Sequence, residues 1–415
     1  MRNLLIGTIL IGLGLLGSSL FGQRTYTDNS VLSQGTWYKL SITKTGMYRL
    51  DRNYLQQLGV NVGSIDPRNI KVYGHDGGML PQLNSADRHD DLKEMAIEVV
   101  GQDDGSMGEN DFVRFFARGA HVWNYNETND EFAHSFHNYS DSMFVFLTVG
   151  NTPGLRVSDA PAARPTYIAS SLRSTDLHET EQYNLLKSGR HWMGEKFDLT
   201  LERSFDFNLP DLAADGEIRI KIRAGARGDR TTRMTVAANG DEVGVMAFSQ
   251  VAVARYEARF KNNLVNTFTL PAQGQGNTLS VSLTYDKAGY SLAEAWLDWI
   301  EIDYDRTPSL AGSSTRLMSL TEGAGTGNFA DITFAPLNTS TTLWDVTIPT
   351  EPQQIAVNPT GNSGRATIDM NEARHLVSFH NEYLIPSSWS SVSNQNLHQE
   401  ESIDYLVIAH PLFRD

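Results

Sequence analysis

Glu217-Ile218-Arg219-Ile220-Lys221-Ile222-Arg223-Ala224 is the stretch of this sequence that is most informative about its fold. Successive side chains of a β-strand point to opposite faces of the sheet, so the three isoleucines would share one face and the basic residues the other. This alternation predicts a strand with one face in a hydrophobic core and one polar face.

Similar short segments recur on both sides of this stretch. The predicted strands are Leu201 to Phe207, Glu217 to Ala224, Arg233 to Ala238, Phe260 to Leu264, Thr278 to Tyr285 and Ala295 to Tyr304. Short strands at this spacing are typical of a β-sandwich. Asn239-Gly240 predicts a two-residue hairpin turn, because both residue types accept positive φ.

The region before residue 158 also consists of short apolar segments separated by turns. Trp37–Ile42 and Met47–Leu50 flank a Thr-Gly turn and predict a β-hairpin. Asp51 is placed to cap a short helix at Tyr54–Leu58, which Gly59 would end. Longer helical patterns are scarce, although a polar stretch from residue 175 to residue 187 is moderately helical in composition.

Changes in composition divide the chain into segments. The predicted segments are a signal peptide at 1–22, a β-rich domain at 23–158, a β-sandwich domain at 166–306, a third β-rich segment at 309–386, a Ser-, Asn- and Gln-rich linker at 387–402, and the start of a further domain at 403–415. The predicted fold class is therefore mostly β, with several β-sandwich or β-rich domains in tandem, ending at the first strand of a truncated α/β domain.

The beginning of the chain predicts export. Met1 to Phe21 has one basic residue, Arg2, and an apolar run from Leu4 to Leu16, which is the pattern of a secretory signal peptide. The chain has 34 Lys and Arg against 49 Asp and Glu, a net charge of -15, which disfavours nonspecific binding to nucleic acid or anionic membranes. It has no cysteine, so a cysteine nucleophile is excluded within these residues.

The end of the chain has a different pattern. Tyr405 to Ala409 are five consecutive apolar residues between Asp404 and Pro411. A run without alternation is typical of a central strand in a parallel sheet, since helices cover both of its faces. Such a strand needs crossover helices and parallel neighbours, and few residues follow Pro411. We therefore expect residues 403–415 to begin an α/β domain that is absent from this sequence.

A succession of phrases along the chain resembles the amino-terminal portion of the type IX secretion sortases, which are signal peptidases with a gingipain-like catalytic domain. The phrases are Trp37–Ile42, Asp66–Gly74 with Gly77–Pro81, Asp103–Ser106, Gly189–Asp198, Leu297–Ile302, Leu343–Thr347 and Asp404–Pro411. None of them is a chemical signature alone. Their order and their spread over nearly all of the predicted mature chain carry the resemblance.

The resemblance implies a cell-surface cysteine endopeptidase, associated with the outer membrane, that removes a C-terminal targeting domain from secreted cargo. It further implies transfer of the cargo to anionic lipopolysaccharide and an outer-membrane barrel as partner. The catalytic His and Cys of gingipain-like domains lie on loops after later strands, and neither position exists in this sequence. We therefore assign no catalytic, cofactor-binding or metal-binding residue, expect no cofactor, and predict that the chain alone is inactive.

Individual residues suggest further chemistry. His410 follows the last apolar run, where α/β folds gather ligands, but a turn residue before proline is the favoured interpretation because the family's catalytic His lies downstream. Asp103, Asp104 and Asp111 are candidate calcium ligands. Their spacing departs from the EF-hand pattern, and an Asx-type turn is the favoured alternative.

Two sets of side chains are candidates for glycan binding. The densest basic patch consists of Arg219, Lys221, Arg223, Arg227, Arg230 and Arg233. It would suit an anionic glycan or lipopolysaccharide, whereas a solvated strand face with interdomain contacts is the favoured interpretation. Trp192, Trp296 and Trp299 are candidates for stacking on sugars, although at least one of the last two must be core. The alternative function is a non-catalytic surface β-sandwich module that binds glycan or protein.

Overall fold

The segment 217–224 forms the predicted strand in the computed structural model, which describes residues 26–83, 85–185, 187, 191–251, 264–312, 314–400, 402–409 and 413. Ile218, Ile220 and Ile222 are fully buried. The intervening basic residues lie on the opposite, partly exposed face. Strand makes up 47% of the structure and helix 5%, which confirms a mostly β fold with several sheets.

The amino-terminal region contains one α-helix, α1 (Arg52–Leu58), and nine strands among its described residues. The strands are β1 (Trp37–Ile42), β2 (Gly46–Asp51), β3 (Ile70–Gly74), β4 (Lys93–Met95), β5 (Glu98–Val100), β6 (Phe112–Ala117), β7 (Val122–Asn126), β8 (Glu131–Ser135) and β9 (Met143–Val149). Short 3-10 turns lie at Val31–Ser33, Pro67–Asn69 and Gln102–Asp104.

The central region contributes eleven strands among its described residues. They are β10 (Ser158–Asp159), β11 (Tyr167–Ala169), β12 (Leu172–Glu179), β13 (Lys196–Phe197), β14 (Glu202–Asn208), β15 (Glu217–Arg227), β16 (Thr232–Ala238), β17 (Asp241–Phe248), β18 (Leu264–Pro271), β19 (Thr278–Asp286) and β20 (Glu294–Arg306).

The carboxyl-terminal region adds eight strands and a 3-10 turn at Leu397–Gln399 in the part that the structure describes. The strands are β21 (Arg316–Leu320), β22 (Phe329–Phe334), β23 (Thr342–Asp345), β24 (Gln353–Ile355), β25 (Asn358–Thr360), β26 (Ser363–Asp369), β27 (Arg374–Phe379) and β28 (Trp389–Val392).

Two facing sheets build the amino-terminal domain. One has the strand order β28-β1-β9-β3-β4 and the other β2-β6-β5, with one apolar core cluster spanning both. The predicted short helix is confirmed as α1. The Asp51 carboxylate accepts a hydrogen bond of 2.8 Å from the Tyr54 amide, and Gly59 follows the helix with φ of 98°. The cap satisfies an amide that has no partner within the helix.

The predicted hairpin at Trp37–Leu50 is wrong. β1 pairs with β9 and β28, whereas β2 pairs with β6 in the other sheet, so the chain passes from one sheet to the other at the Thr-Gly turn. Both strands bury most of their residues. Distant partners provide this burial, and a local hairpin would leave one face of each strand exposed.

A ten-stranded sheet connects the remaining regions. Its order is β10-β24-β23-β27-β21-β12-β20-β15-β18, and β13 pairs with β20. The half around β15 and β20 packs against the sheet β14-β19-β16-β17, which completes a β-sandwich. The predicted hairpin turn is confirmed here, because Asn239 and Gly240 have φ of 50° and 93° between the paired strands β16 and β17.

The other half of the large sheet packs against the sheet β11-β22-β26-β25. The segments 166–306 and 309–386 therefore have separate cores but share one sheet, joined where Arg173 of β12 pairs with Ser319 of β21. A fourth apolar cluster connects the amino-terminal domain to this second sandwich through Met47 and Phe116 on one side and Trp344 and Phe379 on the other.

Three predicted elements differ from the structure. The helix predicted at 175–187 is wrong. Residues 175–179 belong to strand β12, because their polar side chains pair with strand β20 and with the ribbon that covers the sheet, and the described residues up to 187 form no helix. The predicted linker at 387–402 contains β28, which pairs with β1 and returns the chain to the first domain. The run Tyr405–Ala409 forms no strand. Without parallel neighbours its side chains stay exposed, with Tyr405 at 84% and Ile408 at 88%.

Other predictions concern residues that the structure does not describe. The signal peptide at 1–22, His410 and nearly all of the predicted strand Phe260 to Leu264 lie outside the described residues. Among the residues that are described, no helix has the length and apolar character needed to cross a membrane.

Candidate functional site

The candidate site lies where the two-stranded ribbon β7–β8 of the amino-terminal domain covers the polar face of the large sheet. The alternation that buries the isoleucines of β15 places Arg219, Lys221 and Arg223 on this face. The neighbouring strand β20 contributes carboxylates opposite them. The face is therefore built from rows of opposite charge on adjacent strands.

Each basic residue of β15 has a carboxylate partner across the strand pair. Arg219 Nη1 lies 3.2 Å from Asp305 Oδ1, and Arg223 Nε lies 3.1 Å from Asp298 Oδ2. Lys221 Nζ lies 3.7 Å from Glu301 Oε2 and 3.0 Å from Glu131 of the ribbon. Their charges are compensated within the protein, which favours the packing interpretation of the basic patch.

The remaining basic candidates lie elsewhere on the same sandwich. Arg227 pairs with Glu294 at 2.5 Å, Arg230 donates a long hydrogen bond to a backbone carbonyl, and Arg233 is exposed. The six residues therefore do not converge on one groove.

The ribbon adds three ionic contacts to the sheet. Glu131 reaches Lys221, as described, and Asp130 pairs with Arg173 of β12, which also holds Asp303 of β20. The Arg173 side chain is 5% exposed, and Asp303 is 10% exposed. A cation this deeply buried is unfavourable unless carboxylates compensate its charge. These contacts therefore fix the position of the ribbon on the sheet.

His134 makes the third contact and lies between two carboxylates. Its Nε2 is 2.9 Å from Glu179 Oε2, and its Nδ1 is 2.5 Å from Glu301 Oε1. Burial disfavours the charged imidazole, but hydrogen bonds to the two glutamates and their negative charges outweigh it and raise the pKa of His134 to about 9. The ring is therefore an imidazolium at neutral pH, whose Nδ1 donates a hydrogen bond to Glu301 and whose Nε2 forms an ion pair with Glu179.

A polar cavity of about 390 Å³ opens at one end of this interface. Ribbon residues, strand β15 and strand β20 form its walls together with the segment that follows β12. Its lining includes the side chains of His134, Phe136, Asn138, Glu181, Trp192, Arg223, Asp298 and Trp299. The cavity combines aromatic surfaces with carboxylate, amide and guanidinium groups, so it offers surfaces for stacking together with hydrogen-bond donors and acceptors.

The cavity also changes the acidity of a buried carboxyl group. Burial of Asp298 raises its pKa to about 6, in spite of the nearby Arg223 cation. Burial and the charges of Asp298 and Asp141 raise the pKa of Glu181. Asp298, which is buried, therefore lies in an environment from which much of the water has been excluded.

The structure separates the three candidate tryptophans. Trp192 and Trp299 line the same cavity, and Trp192 is 37% exposed. Trp296 is 2% exposed and belongs to the protein interior. The prediction that at least one of Trp296 and Trp299 is a core residue is confirmed.

The candidate calcium ligands do not converge. Asp104 accepts hydrogen bonds from the Ser106 amide at 2.9 Å and from its hydroxyl at 3.0 Å, which is an Asx turn. Asp111 accepts a hydrogen bond of 2.6 Å from the Gly108 amide. Among the described residues, no group of three or more His, Asp or Glu side chains is arranged to hold a metal ion.

A second cavity, of about 170 Å³, lies between the ribbon and strands β21 and β27. Its lining includes Phe132 and His375, whose Nδ1 lies 2.9 Å from the Ser319 hydroxyl. Burial, with a contribution from the Arg118 charge, lowers the pKa of His375 to about 4. This histidine is a neutral, hydrogen-bonded interior residue.

Sequence reasoning did not identify His134 as a functional residue. Glu179 and Glu301 are 45 and 167 residues away in the chain, and no local motif connects them. The acidic residues at alternate positions of β20 were the available signal, because they match the basic residues of β15 in number and spacing.

The fold and the site together define a class of protein, a tandem β-sandwich assembly whose first domain is held on a shared sheet by buried ion pairs. No family model matches the chain, and no curated protein matches it. Among solved structures it is similar to dimeric latent PorU from Porphyromonas gingivalis, with a TM-score of 0.76 and 23% identity. The likeness covers 92% of this chain and 35% of PorU. The fold is that of the matched part of PorU, and the chain spans about a third of that protein's length.

Two further similarities are much weaker. A carbohydrate-binding module of the CBM36 type, in complex with calcium and xylotriose, matches with a TM-score of 0.19 and 12% identity, over 32% of this chain and 92% of the module. The insecticidal δ-endotoxin Cry8Ea1 from Bacillus thuringiensis matches with a TM-score of 0.23 and 11% identity, over 68% of this chain and 54% of the toxin. Scores this low do not indicate a shared fold.

Proposed function

We propose that this chain is the non-catalytic amino-terminal part of a type IX secretion sortase. Such an enzyme is a cysteine endopeptidase that removes the C-terminal targeting domain of secreted cargo and attaches the cargo to anionic lipopolysaccharide. The likeness to PorU over 92% of this chain carries the proposal. The 415 residues contain no cysteine, so the nucleophile would lie outside them.

In this proposal the three sandwiches hold the peptidase in a defined orientation. Strand β28 pairs with β1, and the Asn394 amide donates hydrogen bonds of 3.0 Å to the carbonyls of Leu32 and Gly35. The segment after residue 402 therefore leaves from the amino-terminal domain. A catalytic domain that follows it would start from this fixed point and would cover the exposed apolar residues Tyr405 to Ile408.

A sortase of this kind has a defined location and defined partners. The protein is exported and lies at the cell surface, associated with the outer membrane. Its partners are an outer-membrane barrel of the type IX system and cargo proteins that carry a C-terminal targeting domain, together with anionic lipopolysaccharide. The predicted signal peptide at residues 1–22 and the net charge of -15 are compatible with an exported protein that does not bind nucleic acid.

Deleting the gene in its native host tests the proposal. Secreted cargo should then retain its C-terminal targeting domain, which intact-mass spectrometry of the secreted fraction detects. The complete gene should restore cleavage, whereas a copy that stops after codon 415 should not. A complete gene carrying Leu199→Ser, at a side chain that is 96% exposed, serves as the matched control and should restore cleavage fully.

Two results would overturn the proposal. One is unchanged cargo processing in the deletion strain. The other is peptide hydrolysis by the purified 415-residue chain. A reading frame that ends at codon 415 in the genome would support the alternative function, a self-sufficient surface binding module.

A further inference from the structure

The polar cavity beside the ribbon is one half of a longer cleft. A second compartment of about 500 Å³ adjoins it and is lined by residues 136–141 and by His121. The two compartments share Phe136, Asn138, Glu181 and Trp192. Each has a volume within the range of about 300–1,000 Å³ that is typical of small-molecule sites. The cleft can therefore accommodate an elongated ligand with more than one unit.

The aromatic walls of the cleft are held in place by the buried imidazolium. The His134 ring contacts Trp299 edge to face, with ring centroids 5.1 Å apart, and contacts Phe136 in the same way at 4.8 Å. Because Glu179 and Glu301 hold the His134 ring from both sides, Trp299 and Phe136 are fixed before any ligand arrives. Preorganised aromatic surfaces lose little conformational entropy on binding.

The charges of the first compartment are largely compensated. His134 and Lys221 together balance the charges of Glu179 and Glu301, and Arg223 lies beside Asp298. A cationic ligand would meet the cations of these pairs, and an anionic ligand would meet the carboxylates of Glu181 and Asp141. A ligand with a full charge of either sign is therefore disfavoured at this site.

A neutral ligand that carries many hydroxyl groups fits the same lining. The carboxylates of Asp298 and Glu181 accept hydrogen bonds from hydroxyls, Arg223 donates, and the Asn138 amide does both. Hydrogen bonds to charged groups are roughly twice as strong as neutral ones. Glu301 Oε2 is also buried without a hydrogen-bond partner among the described residues, and it lies in the same wall.

We propose that this cleft binds a neutral oligosaccharide, with Trp192 and Trp299 packed against sugar rings and Glu181, Asp298 and Arg223 hydrogen-bonded to their hydroxyls. The sugar spans both compartments and passes Phe136 and Trp192 at their junction. The amino-terminal domain and the second domain each supply one wall. The proposal is independent of the sortase function and applies equally to a binding module.

The test uses the purified chain and titration calorimetry with neutral oligosaccharides of glucose, mannose, galactose and N-acetylglucosamine. We expect at least one of them to bind at millimolar concentration or below and to change the tryptophan fluorescence. Trp192→Ala should weaken binding about tenfold or more, a loss of roughly 1.4 kcal/mol. Glu181→Gln should weaken binding less than Trp192→Ala. Because Glu181 is exposed, this variant keeps the fold intact and tests the site even if Trp192→Ala disturbs folding. Tyr405→Ala, at an exposed aromatic outside the cleft, should bind as the unchanged protein does.

Hexalysine and a sulfated heparin oligosaccharide are titrated in parallel. Failure of every neutral oligosaccharide to bind overturns the proposal. So does tighter binding of hexalysine or heparin than of any neutral sugar, which would assign the cleft to a basic peptide or to an anionic glycan. Sugar binding that survives both Trp192→Ala and Glu181→Gln unchanged would also overturn it, because the sugar would then occupy another site.

Discussion

The Nδ1 atom of His134 and the Oε1 atom of Glu301 lie 2.5 Å apart, across the boundary between the amino-terminal ribbon and the large sheet. The two side chains are 6% and 5% exposed, so water contributes little to their solvation. Together with the contact of Glu179 to the other ring nitrogen, this contact holds the ribbon of the first domain on the sheet. The same ring contacts Trp299 in the aromatic wall of the cleft.

Replacement of this histidine should loosen the ribbon. His134→Ala leaves the buried Glu179 without its cation and Glu301 with only the more distant Lys221, and breaking a buried pair in this way costs about 3–5 kcal/mol. Urea unfolding should show this loss, and hydrogen exchange should increase at amides of β7 and β8. His137→Ala is the control, because His137 only accepts a local, exposed hydrogen bond from the Tyr139 amide, and it should have little effect. Equal losses in the two variants would contradict this role of His134.

The same contact predicts a dependence on alkaline pH. The pKa of His134 is raised from its ordinary value of 6.5 to about 9 in the folded protein. Its stabilising contribution is therefore complete below about pH 6.5 and is lost as the pH rises through about 9. The full contribution is on the order of 3 kcal/mol. The difference in unfolding free energy between the unchanged protein and His134→Gln should shrink from about pH 6 to about pH 10. A constant difference over this range would exclude the imidazolium.

Arg173 should be indispensable for the same interface. Arg173→Met removes the nearer cation of the buried Asp303 carboxylate and leaves only Arg219, at 3.8 Å, so the expected loss is about 3 kcal/mol. Adding Asp303→Asn should recover part of the loss, because it removes the buried charge. Arg68→Met is the matched control, since the Arg68–Asp66 pair is solvent-exposed and should contribute little to stability. Purely additive effects of the Arg173 and Asp303 changes would argue against a direct pair.

The exposed end of the chain should be cleaved without unfolding. Tyr405 is 84% exposed and lies in no strand, whereas Tyr48 and Tyr304 are 1% and 2% exposed. Brief digestion with chymotrypsin should cut after Tyr405 and leave the preceding domains folded, because proteases require an accessible, unpaired segment. Mass spectrometry of the products and circular dichroism of the remaining protein provide the measurement. Protection of Tyr405 until the whole chain unfolds would indicate a packed strand.

The turn between β16 and β17 should depend on its glycine. Gly240 has φ of 93°, and an added Cβ would meet no atom within 4 Å, so Gly240→Ala tests backbone strain alone. The left-handed conformation costs an L-residue about 1–2 kcal/mol, which thermal or urea unfolding can detect. Gly276→Ala is the control, at a glycine without positive φ and without close neighbours. A neutral Gly240→Ala would show that the turn relaxes freely.

Patterns over a few residues were sufficient for several features of this protein. The alternation at 217–224, the cap at Asp51 and the turn at Asn239-Gly240 all appear in the structure as predicted. Each depends on interactions between residues that are close in the chain, or on the two-residue period of a strand. Composition and periodicity also predicted the mostly β class, which the strand content confirms.

Partners far apart in the chain decided the rest. The hairpin predicted at Trp37–Leu50 became two strands of different sheets, the predicted helix after residue 175 became part of β12, and the predicted linker supplied β28. In each case a strand tens or hundreds of residues away offered hydrogen bonds and burial. Their stabilisation exceeds the local conformational preference of the segment. The cleft has the same origin, because one wall belongs to the ribbon and the other to the sheet. Local sequence specifies which way a side chain points along its strand, but burial against distant strands determines which strands meet, and hence which side chains face one another.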